Sequence, residues 1–184
     1  LAGDALFLDP FGMIAASALP DAVKVSLILE LSDASGSRGM VAGQVLDMEG
    51  EHKQLTLAEL QTIHANKTGR LLAYPFIAAG LILELQADIA QLLEKIGKKL
   101  GLAFQVRDDI LDLVADFEAL GKTPQKDLVA EKSTYPALLG LEESKTLLTS
   151  ELDACEDLLD QITSACDFDP RAIKKLIEGL RIDG

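Results

Sequence analysis

Apolar residues recur at intervals of three and four along most of this chain, the spacing that places side chains on one face of an α-helix. The stretch 148–162 shows the pattern clearly, because it is apolar at positions 148, 152, 155, 159 and 162. Alternating polar and apolar residues, which are typical of β-strands, are scarce. The sequence therefore predicts an all-α protein.

Turn and capping signals divide this helical pattern into elements. A capping box formed by Thr56 and Glu59 predicts the start of a helix that carries the sequence HANKTG. Asp169 is predicted to cap the last helix, with Pro170 as its first residue. This last helix is predicted over 170–181, and the other predicted helices are 1–19, 21–34, 87–115 and 141–164. No repeat, low-complexity tract or long linker appears, so we expect a single domain over residues 1–184.

Composition narrows the class of protein. The strongest apolar run, Leu71 to Leu83, has 13 residues and contains Pro75, whereas a membrane-spanning helix needs roughly 18–20. We therefore expect a soluble protein without a membrane span. The net charge of −13 repels nucleic acid. Cys155 and Cys166 lack the spacing of a zinc or CxxC site, which indicates reduced thiols and a cytoplasmic location.

The segment FQVRDDILD, residues 104–112, places three carboxylates in an otherwise apolar helix. Asp108 and Asp112 share one face, and Asp109 and Gln105 lie beside them. If the helix is exposed, a pair of like charges costs only about 0.2–0.5 kcal/mol, so a solvated acidic face is one interpretation. The flanking apolar residues favour partial burial, where two carboxylates repel by roughly 3 kcal/mol and need a cation. Oxygen ligands alone favour a hard cation such as Mg²⁺.

Two groups of polar residues upstream are candidates to act with such a cation. In HANKTG, Lys67 and Thr68 offer an ammonium group and a hydroxyl that suit a phosphate. Taken alone, they are better explained as an ordinary solvated helix end with a glycine break. His64 is expected to pack or hydrogen-bond rather than bind a metal. Gln44 and Asp47 lie about one turn apart in GQVLDM, where a helix cap or a buried hydrogen bond explains them equally well.

A lysine-rich loop, GKTPQKDLVAEKSTYP, follows the acidic segment. Lys122, Lys126 and Lys132 are either solvated loop residues or part of a two-sided site for a diphosphate. In such a site a metal holds one side of the diphosphate and ammonium groups hold the other. The sequence contains no nucleophile elbow, P-loop or glycine-rich dinucleotide motif. A metal-assisted reaction in which diphosphate leaves needs none of these.

Four motifs, in the order GQVLDM, HANKTG, FQVRDDILD and GKTPQKDLVAEKSTYPALLG, resemble those of the trans-isoprenyl diphosphate synthases, especially the bacterial farnesyl diphosphate synthases. The resemblance covers nearly the whole chain. It implies a bundle of long helices around a deep cavity and a cytoplasmic homodimer. It also implies Mg²⁺-dependent condensation of an allylic diphosphate, dimethylallyl or geranyl diphosphate, with isopentenyl diphosphate to give farnesyl diphosphate. A geranylgeranyl or longer product is the alternative.

The resemblance also implies roles for individual residues. Asp108, Asp109 and Asp112 would bind Mg²⁺, with two or three ions expected in the full-length enzyme. Lys67, Thr68 and Asp108 would be the catalytic residues. The residues implied in binding the allylic diphosphate are Gln44, Asp47, Lys67, Thr68, Gln105, Lys122 and Lys132.

One departure from the family pattern concerns its first aspartate-rich motif, which should lie upstream of the opening LAGDAL. The only adjacent aspartate pair here is Asp108 with Asp109. We therefore expect that the sequence lacks the N-terminal part of the family fold and that the 184-residue polypeptide is inactive alone. A non-catalytic subunit or binding module on the same scaffold is the main alternative. A terpene cyclase is a weaker one, because HANKTG and the KSTYP loop fit chain-elongating enzymes better.

Overall fold

In the computed structural model, residues 1–115 and 133–182 are described in full and residues 116–120 as helical backbone. Every regular element in these ranges is a helix, which confirms the all-α prediction. The elements are α1 (Ala2–Ala16), α2 (Asp21–Ser35), α3 (Met40–Gly50), α4 (Leu57–His64), a π-helical turn (Ala65–Gly69), α5 (Arg70–Ile82), α6 (Ala87–Leu120), α7 (Tyr135–Leu139), α8 (Leu141–Ala165) and α9 (Arg171–Leu180).

The hydrophobic core lies along the seam between α6 and α8. Fully buried side chains come from both helices: Ile96, Val106 and Ile110 from α6, and Leu152, Leu159 and Ile162 from α8. Burying a side chain of this size contributes roughly 1.5–3 kcal/mol relative to leaving it in water. The apolar positions found in 148–162 form the buried face of α8, so the same periodicity predicted both the helix and its core face.

The opposite face of α6 approaches α5 and the π-helical turn at backbone distance. Gly97 and Gly101 lie on this face, one turn apart. A Cβ atom on Gly101 would lie 2.7 Å from the Cα of Gly69, and one on Gly97 would lie 2.8 Å from the Cα of Ala73. Any larger residue would push the helices apart. The glycines therefore set how close α6 comes to the π-helical turn.

Local capping signals behave largely as the sequence predicts. Thr56 and Glu59 form the capping box of α4: the N–H of Thr56 donates to Glu59 Oε2 at 2.8 Å, and the N–H of Glu59 donates to Thr56 Oγ1 at 3.3 Å. At α9 the prediction was wrong by one residue, because Pro170 itself is the N-cap. Asp169 still supports this helix start, since its carboxylate accepts the N–H of Arg171 at 3.1 Å.

Helix α1 differs from the core helices because it buries none of its residues. Its large apolar side chains Leu6, Leu8 and Met13 are each at least 70% exposed. Within the described ranges it packs mainly against α2. No helix in those ranges has both the length and the apolar character that crossing a membrane requires.

Candidate functional site

The π-helical turn Ala65–Gly69 carries Lys67 and Thr68 between α4 and α5. Such wide turns inside a continuous helix are frequent at functional sites, because the extra residue re-aims the side chains around it. The chain stays helical through Gly69, which is buried. The interpretation of HANKTG as a solvated helix end with a glycine break is therefore wrong.

Lys67 is directed towards α3. Its Nζ atom donates to Asp47 Oδ2 at 2.6 Å, and both side chains are about one-third exposed. Gly43 makes this contact possible, because a Cβ there would lie 2.5 Å from the Cα of Lys67. The lysine ammonium has three donors, and Asp47 accepts one of them. A charged donor is thus held at a fixed position while it keeps capacity for an anionic ligand.

Thr68, the next residue, is directed towards α6. Its Oγ1 atom donates to Gln105 Oε1 at 3.1 Å. A threonine hydroxyl has a single hydrogen, so donation to Gln105 and donation to a bound phosphate exclude each other. In the structure this hydrogen is directed to Gln105, which fixes the orientation of the hydroxyl.

The acidic face of α6 continues from Gln105 to Asp108 and Asp112, which are one turn apart and exposed. Asp109 is partly buried and accepts the backbone N–H of Tyr135 at Oδ2, 2.9 Å away. No group of three metal-ligating side chains occurs within the part of the chain that the structure describes. Mg²⁺ is commonly held by one or two carboxylates together with substrate phosphates and waters, and the exposed pair Asp108 and Asp112 fits that arrangement.

The segment 133–139 lies beside the site and contacts α6 and the end of α4. The Oγ atom of Ser133 accepts the N–H of Leu55 at 3.2 Å and donates to the carbonyl of Lys53 at 3.4 Å. The ring of Tyr135 is fully buried, with its centroid 5.4 Å from that of His64. Burial, together with the negative charges of Asp109 and Glu151, raises the pKa of the Tyr135 phenol.

The structure thus connects four of the predicted residues through two side-chain contacts: Asp47 with Lys67, and Thr68 with Gln105. His64 packs against Tyr135, as expected for a packing residue. Gln44 lies exposed on α3. Lys122, Lys126 and Lys132 lie outside the described residues.

Sequence reasoning missed two features of this site. One is Tyr135, whose N–H contacts Asp109 and whose position after the KST of the loop motif gave no separate signal. The other is the close approach of α6 to the π-helical turn. The signal for it was present in the sequence, because Gly97, Gly101 and Gln105 follow one another at spacings of four and therefore share a helix face.

Comparison with known proteins gives matches over most of the chain. Residues 1–167 match the family Polyprenyl synthetase. The farnesyl diphosphate synthase of Micrococcus luteus is 48% identical over 178 residues, which cover 97% of this chain and 61% of that protein. Geranylgeranyl pyrophosphate synthase 7 of Arabidopsis thaliana is 38% identical over 181 residues, covering 96% of this chain and 50% of that protein.

The fold agrees with these sequence matches. A crystal structure of the geranyltransferase from Helicobacter pylori, complexed with magnesium and isoprenyl diphosphate, superposes with a TM-score of 0.80 at 31% identity. The match covers 97% of this chain and 58% of that one. The chain therefore spans about three fifths of the length of these bacterial relatives, in which 61% and 58% are covered. By sequence and by fold, it belongs to the polyprenyl synthetase family.

Proposed function

We propose that the full-length protein is a prenyltransferase that condenses an allylic diphosphate, dimethylallyl or geranyl diphosphate, with isopentenyl diphosphate to form farnesyl diphosphate. The observation that carries the proposal is the hydrogen bond from Thr68 to Gln105. It brings a turn that holds a lysine ammonium against the helix face that holds Asp108 and Asp112. A cationic group and a pair of exposed carboxylates on adjoining elements suit a metal-bound diphosphate.

In this proposal the residues of the π-helical turn bind the allylic diphosphate. Lys67 donates to its oxygens from a position fixed by Asp47, and Thr68 shifts its hydrogen from Gln105 to a phosphate oxygen. Asp108 and Asp112 would hold Mg²⁺, and two or three ions would act in the complete enzyme. Bound Mg²⁺ would neutralise the diphosphate and make it a better leaving group. Lys122 and Lys132 are proposed to contact the same diphosphate.

The proposed reaction needs no nucleophilic side chain. The bond between the allylic carbon and the diphosphate oxygen breaks, and the double bond of isopentenyl diphosphate forms a new carbon–carbon bond. Loss of a proton then restores a double bond. Lys67 stabilises the negative charge that develops on the departing diphosphate, which is the kind of electrostatic contribution that lowers such barriers most.

Farnesyl diphosphate is the proposed product because bacterial relatives at 38–48% identity bear the name farnesyl diphosphate synthase. The competing product is geranylgeranyl diphosphate, because the Arabidopsis relative bears the name geranylgeranyl pyrophosphate synthase. The proposal extends to a homodimer in the cytoplasm, as the family resemblance implies.

The test is a prenyl-transfer assay on the full-length gene product. Labelled isopentenyl diphosphate is incubated with dimethylallyl or geranyl diphosphate and Mg²⁺, and the product chains are separated by length. We expect farnesyl diphosphate, no product in excess EDTA, and recovery when Mg²⁺ is restored. No transfer with either allylic substrate would overturn the proposal, and a longer product would correct only the chain length.

The same assay applies to a polypeptide limited to the 184 residues of this sequence. This polypeptide contains one aspartate-rich segment, FQVRDDILD. In the proposed chemistry the metal is held by this segment and by a second aspartate-rich segment opposite it. We expect no condensation by this polypeptide even when circular dichroism shows it to be helical. Robust Mg²⁺-dependent turnover by a polypeptide of verified mass would show that one aspartate-rich segment is sufficient.

A further inference from the structure

Helix α3 touches the π-helical turn at Gly43, which is buried and faces the backbone of Lys67. We propose that Gly43 is a positioning residue for Lys67. Because it has no side chain, it sets where the lysine ammonium lies and thereby how tightly the enzyme binds an allylic diphosphate. The kinetic part of this inference rests on the proposed function, whereas the geometric part does not.

The contact at Gly43 joins two backbones. A Cβ atom at this position would lie 2.5 Å from the Cα and 2.7 Å from the Cβ of Lys67, and it would also overlap the Lys67 backbone nitrogen. Non-bonded carbon atoms prefer separations of about 3.5–4.0 Å. A backbone cannot rotate away as the end of a long side chain can. Any side chain at position 43 therefore requires α3 and the turn to separate by about 1 Å.

The close approach at Gly43 is what lets Asp47 hold the lysine. Asp47 follows Gly43 by four residues and therefore lies on the same face of α3. The Nζ atom of Lys67 donates to Asp47 Oδ2 at 2.6 Å. An aspartate side chain is short, so it keeps the ammonium at this place only while α3 lies against the turn. Separation of the two elements would thus displace or release the charge.

The strain of an added side chain should move α3 rather than the turn. The turn is held on its other side by α6, where Gly69 and Gly101 approach each other at backbone distance. Helix α3 contributes no side chain to the hydrophobic core of the described ranges. Three of its apolar side chains are 46–60% exposed: Val41, Val45 and Met48. We therefore expect α3 to shift and to carry the carboxylate of Asp47 with it.

A shift of this size matters for a group that acts on a departing diphosphate. Misplacement by about 1 Å, even through a change that touches no reacting atom, can cost about 10²-fold in rate. Lys67 is proposed both to bind the allylic diphosphate and to stabilise the charge that develops on it, so affinity and rate should fall together. The proposal gives Lys67 no contact with isopentenyl diphosphate. The KM for that substrate therefore distinguishes a local displacement from a general loss of folded enzyme.

The first experiment compares crystal structures of full-length wild type and Gly43→Ala, both without Mg²⁺ or substrate. We expect α3 to lie about 1 Å further from the turn in the variant, with the Lys67 ammonium displaced or no longer bonded to Asp47. Gly50→Ala is the matched control, because it adds the same methyl group to α3. Its new Cβ would lie 3.2 Å from the flexible end of the Leu55 side chain, so α3 should superpose on wild type. Unchanged positions of α3 and Lys67 in Gly43→Ala would overturn the inference.

The second experiment measures prenyl-transfer kinetics of the same proteins. We expect Gly43→Ala to raise the KM for geranyl diphosphate at least about tenfold and to lower kcat by about 10²-fold. The KM for isopentenyl diphosphate should stay near the wild-type value, and Gly50→Ala should leave all three constants near it. A fall in kcat with both KM values unchanged would indicate a smaller fraction of folded enzyme and would overturn the inference.

A double-mutant cycle with Lys67→Met tests whether Gly43 acts through the lysine. Lys67→Met removes the ammonium and keeps most of the apolar stem, so a glycine that positions the ammonium has little left to affect. In the Lys67→Met background we expect Gly43→Ala to lower kcat/KM for geranyl diphosphate by less than about threefold. A loss as large as that seen in the wild-type background would overturn the inference.

A stabilised background covers the case in which Gly43→Ala does not fold. The comparison is then repeated in Gly179→Ala, where an added Cβ meets nothing within 4 Å and helix propensity favours the fold. A variant that stays unfolded there would overturn the inference, because Gly43 would then serve the stability of the fold and not the position of Lys67. If wild type shows no prenyl transfer, the proposed function fails, and the crystal comparison still decides whether Gly43 sets the position of Lys67.

Discussion

The two faces of α6 are built on different principles. The face towards α8 is apolar, with Ile96 and Ile110 fully buried in the core. The face towards the π-helical turn carries Gly101, which touches Gly69 at backbone distance, and then Gln105 and exposed carboxylates. One face is fixed by buried area and the other by close approach and a few hydrogen bonds.

This difference separates stability from chemistry within one helix. Each buried apolar side chain contributes roughly 1.5–3 kcal/mol, whereas a hydrogen bond such as Thr68 to Gln105 contributes a net 0.5–1.5 kcal/mol or so. The core face therefore supplies most of the free energy that holds α6 in place. The site face is left free to carry exposed charge, and substitutions on the two faces should affect different measurements.

The largest expected change in stability follows from a substitution on the core face. Ile96→Ala removes most of a fully buried side chain, and we expect a loss of about 2–5 kcal/mol in the free energy of unfolding. Urea titration of the full-length protein measures it. The fraction that remains folded should keep its turnover. A parallel loss of turnover in fully folded protein would show that the two faces are coupled.

The reverse pattern is expected on the site face. Asp108→Ala in the full-length protein should lower prenyl-transfer turnover by about 10²–10³, because it removes a proposed ligand of the Mg²⁺ that would offset the negative charge developing on the diphosphate. Its unfolding free energy should change by no more than about 0.5 kcal/mol, since the side chain is exposed. Prenyl-transfer kinetics and urea titration measure the two effects, with Asp157→Ala, at an exposed carboxylate on α8, as control. Unchanged turnover would refute the proposed metal role of Asp108.

A smaller effect, on both the free energy of unfolding and turnover, is expected where the site face depends on close approach. Gly101→Ala should lower the free energy of unfolding by about 1–3 kcal/mol in urea titration, because its new Cβ would lie 2.7 Å from the Gly69 Cα and the helices must separate. Gly179→Ala in α9 is the matched control. A Cβ there meets nothing within 4 Å, so the helix should gain up to about 1 kcal/mol. If both variants gained stability, the close contact would not exist in solution.

The smallest effect is a difference in alkylation rate between the two cysteines, which reports how well the core between α6 and α8 is packed. Burial raises the pKa of the Cys155 thiol to about 12, and its Sγ atom lies 3.9 Å from the Ile96 carbonyl. Cys166 is exposed. At pH 8, iodoacetamide should modify Cys166 at least about tenfold faster than Cys155, because only the thiolate reacts. Mass spectrometry of the peptides measures both alkylation rates. Ile96→Ala should reduce the ratio of the Cys166 rate to the Cys155 rate.

The raised pKa of the Cys155 thiol also makes the stability of the folded protein depend on pH. The pKa of Cys155 is higher in the folded state than its ordinary value near 9. Burial of the neutral thiol thus contributes fully to stability below pH 9 or so, and this contribution is lost as the pH rises from about 9 to about 12. Equal alkylation of the two cysteines at pH 8 would contradict the burial.

Features decided by neighbouring residues could be read from the sequence. The capping box of Thr56 and Glu59 and the apolar face of α8 depend on spacings within one or two turns, and both are confirmed. The prediction of Asp169 as the N-cap was wrong by one residue, because the exact first residue of a helix depends on backbone angles that Pro170 alters. Such errors are small, since the competing local signals lie side by side.

Contacts decided by distant parts of the chain could not be read in this way. That Lys67 reaches Asp47 and Thr68 reaches Gln105 depends on a π-helical turn and on glycine contacts between separate helices. The spacing in FQVRDDILD predicts the same role for its three aspartates. The Tyr135 N–H that Asp109 accepts lies 26 residues further along the chain, so the different environment of Asp109 appears only in the folded molecule.

The π-helical turn has a consequence for how this part of the chain can change length. Each residue of a helix adds about 100° of rotation, so the extra residue in Ala65–Gly69 sets the rotation of α4 relative to α5. Deleting it would turn His64 away from Tyr135, or else turn Thr68 away from Gln105. Single substitutions on the outer face of this segment should leave both contacts in place, whereas an insertion or deletion should break one of them. Selection on this segment should therefore act first on its length.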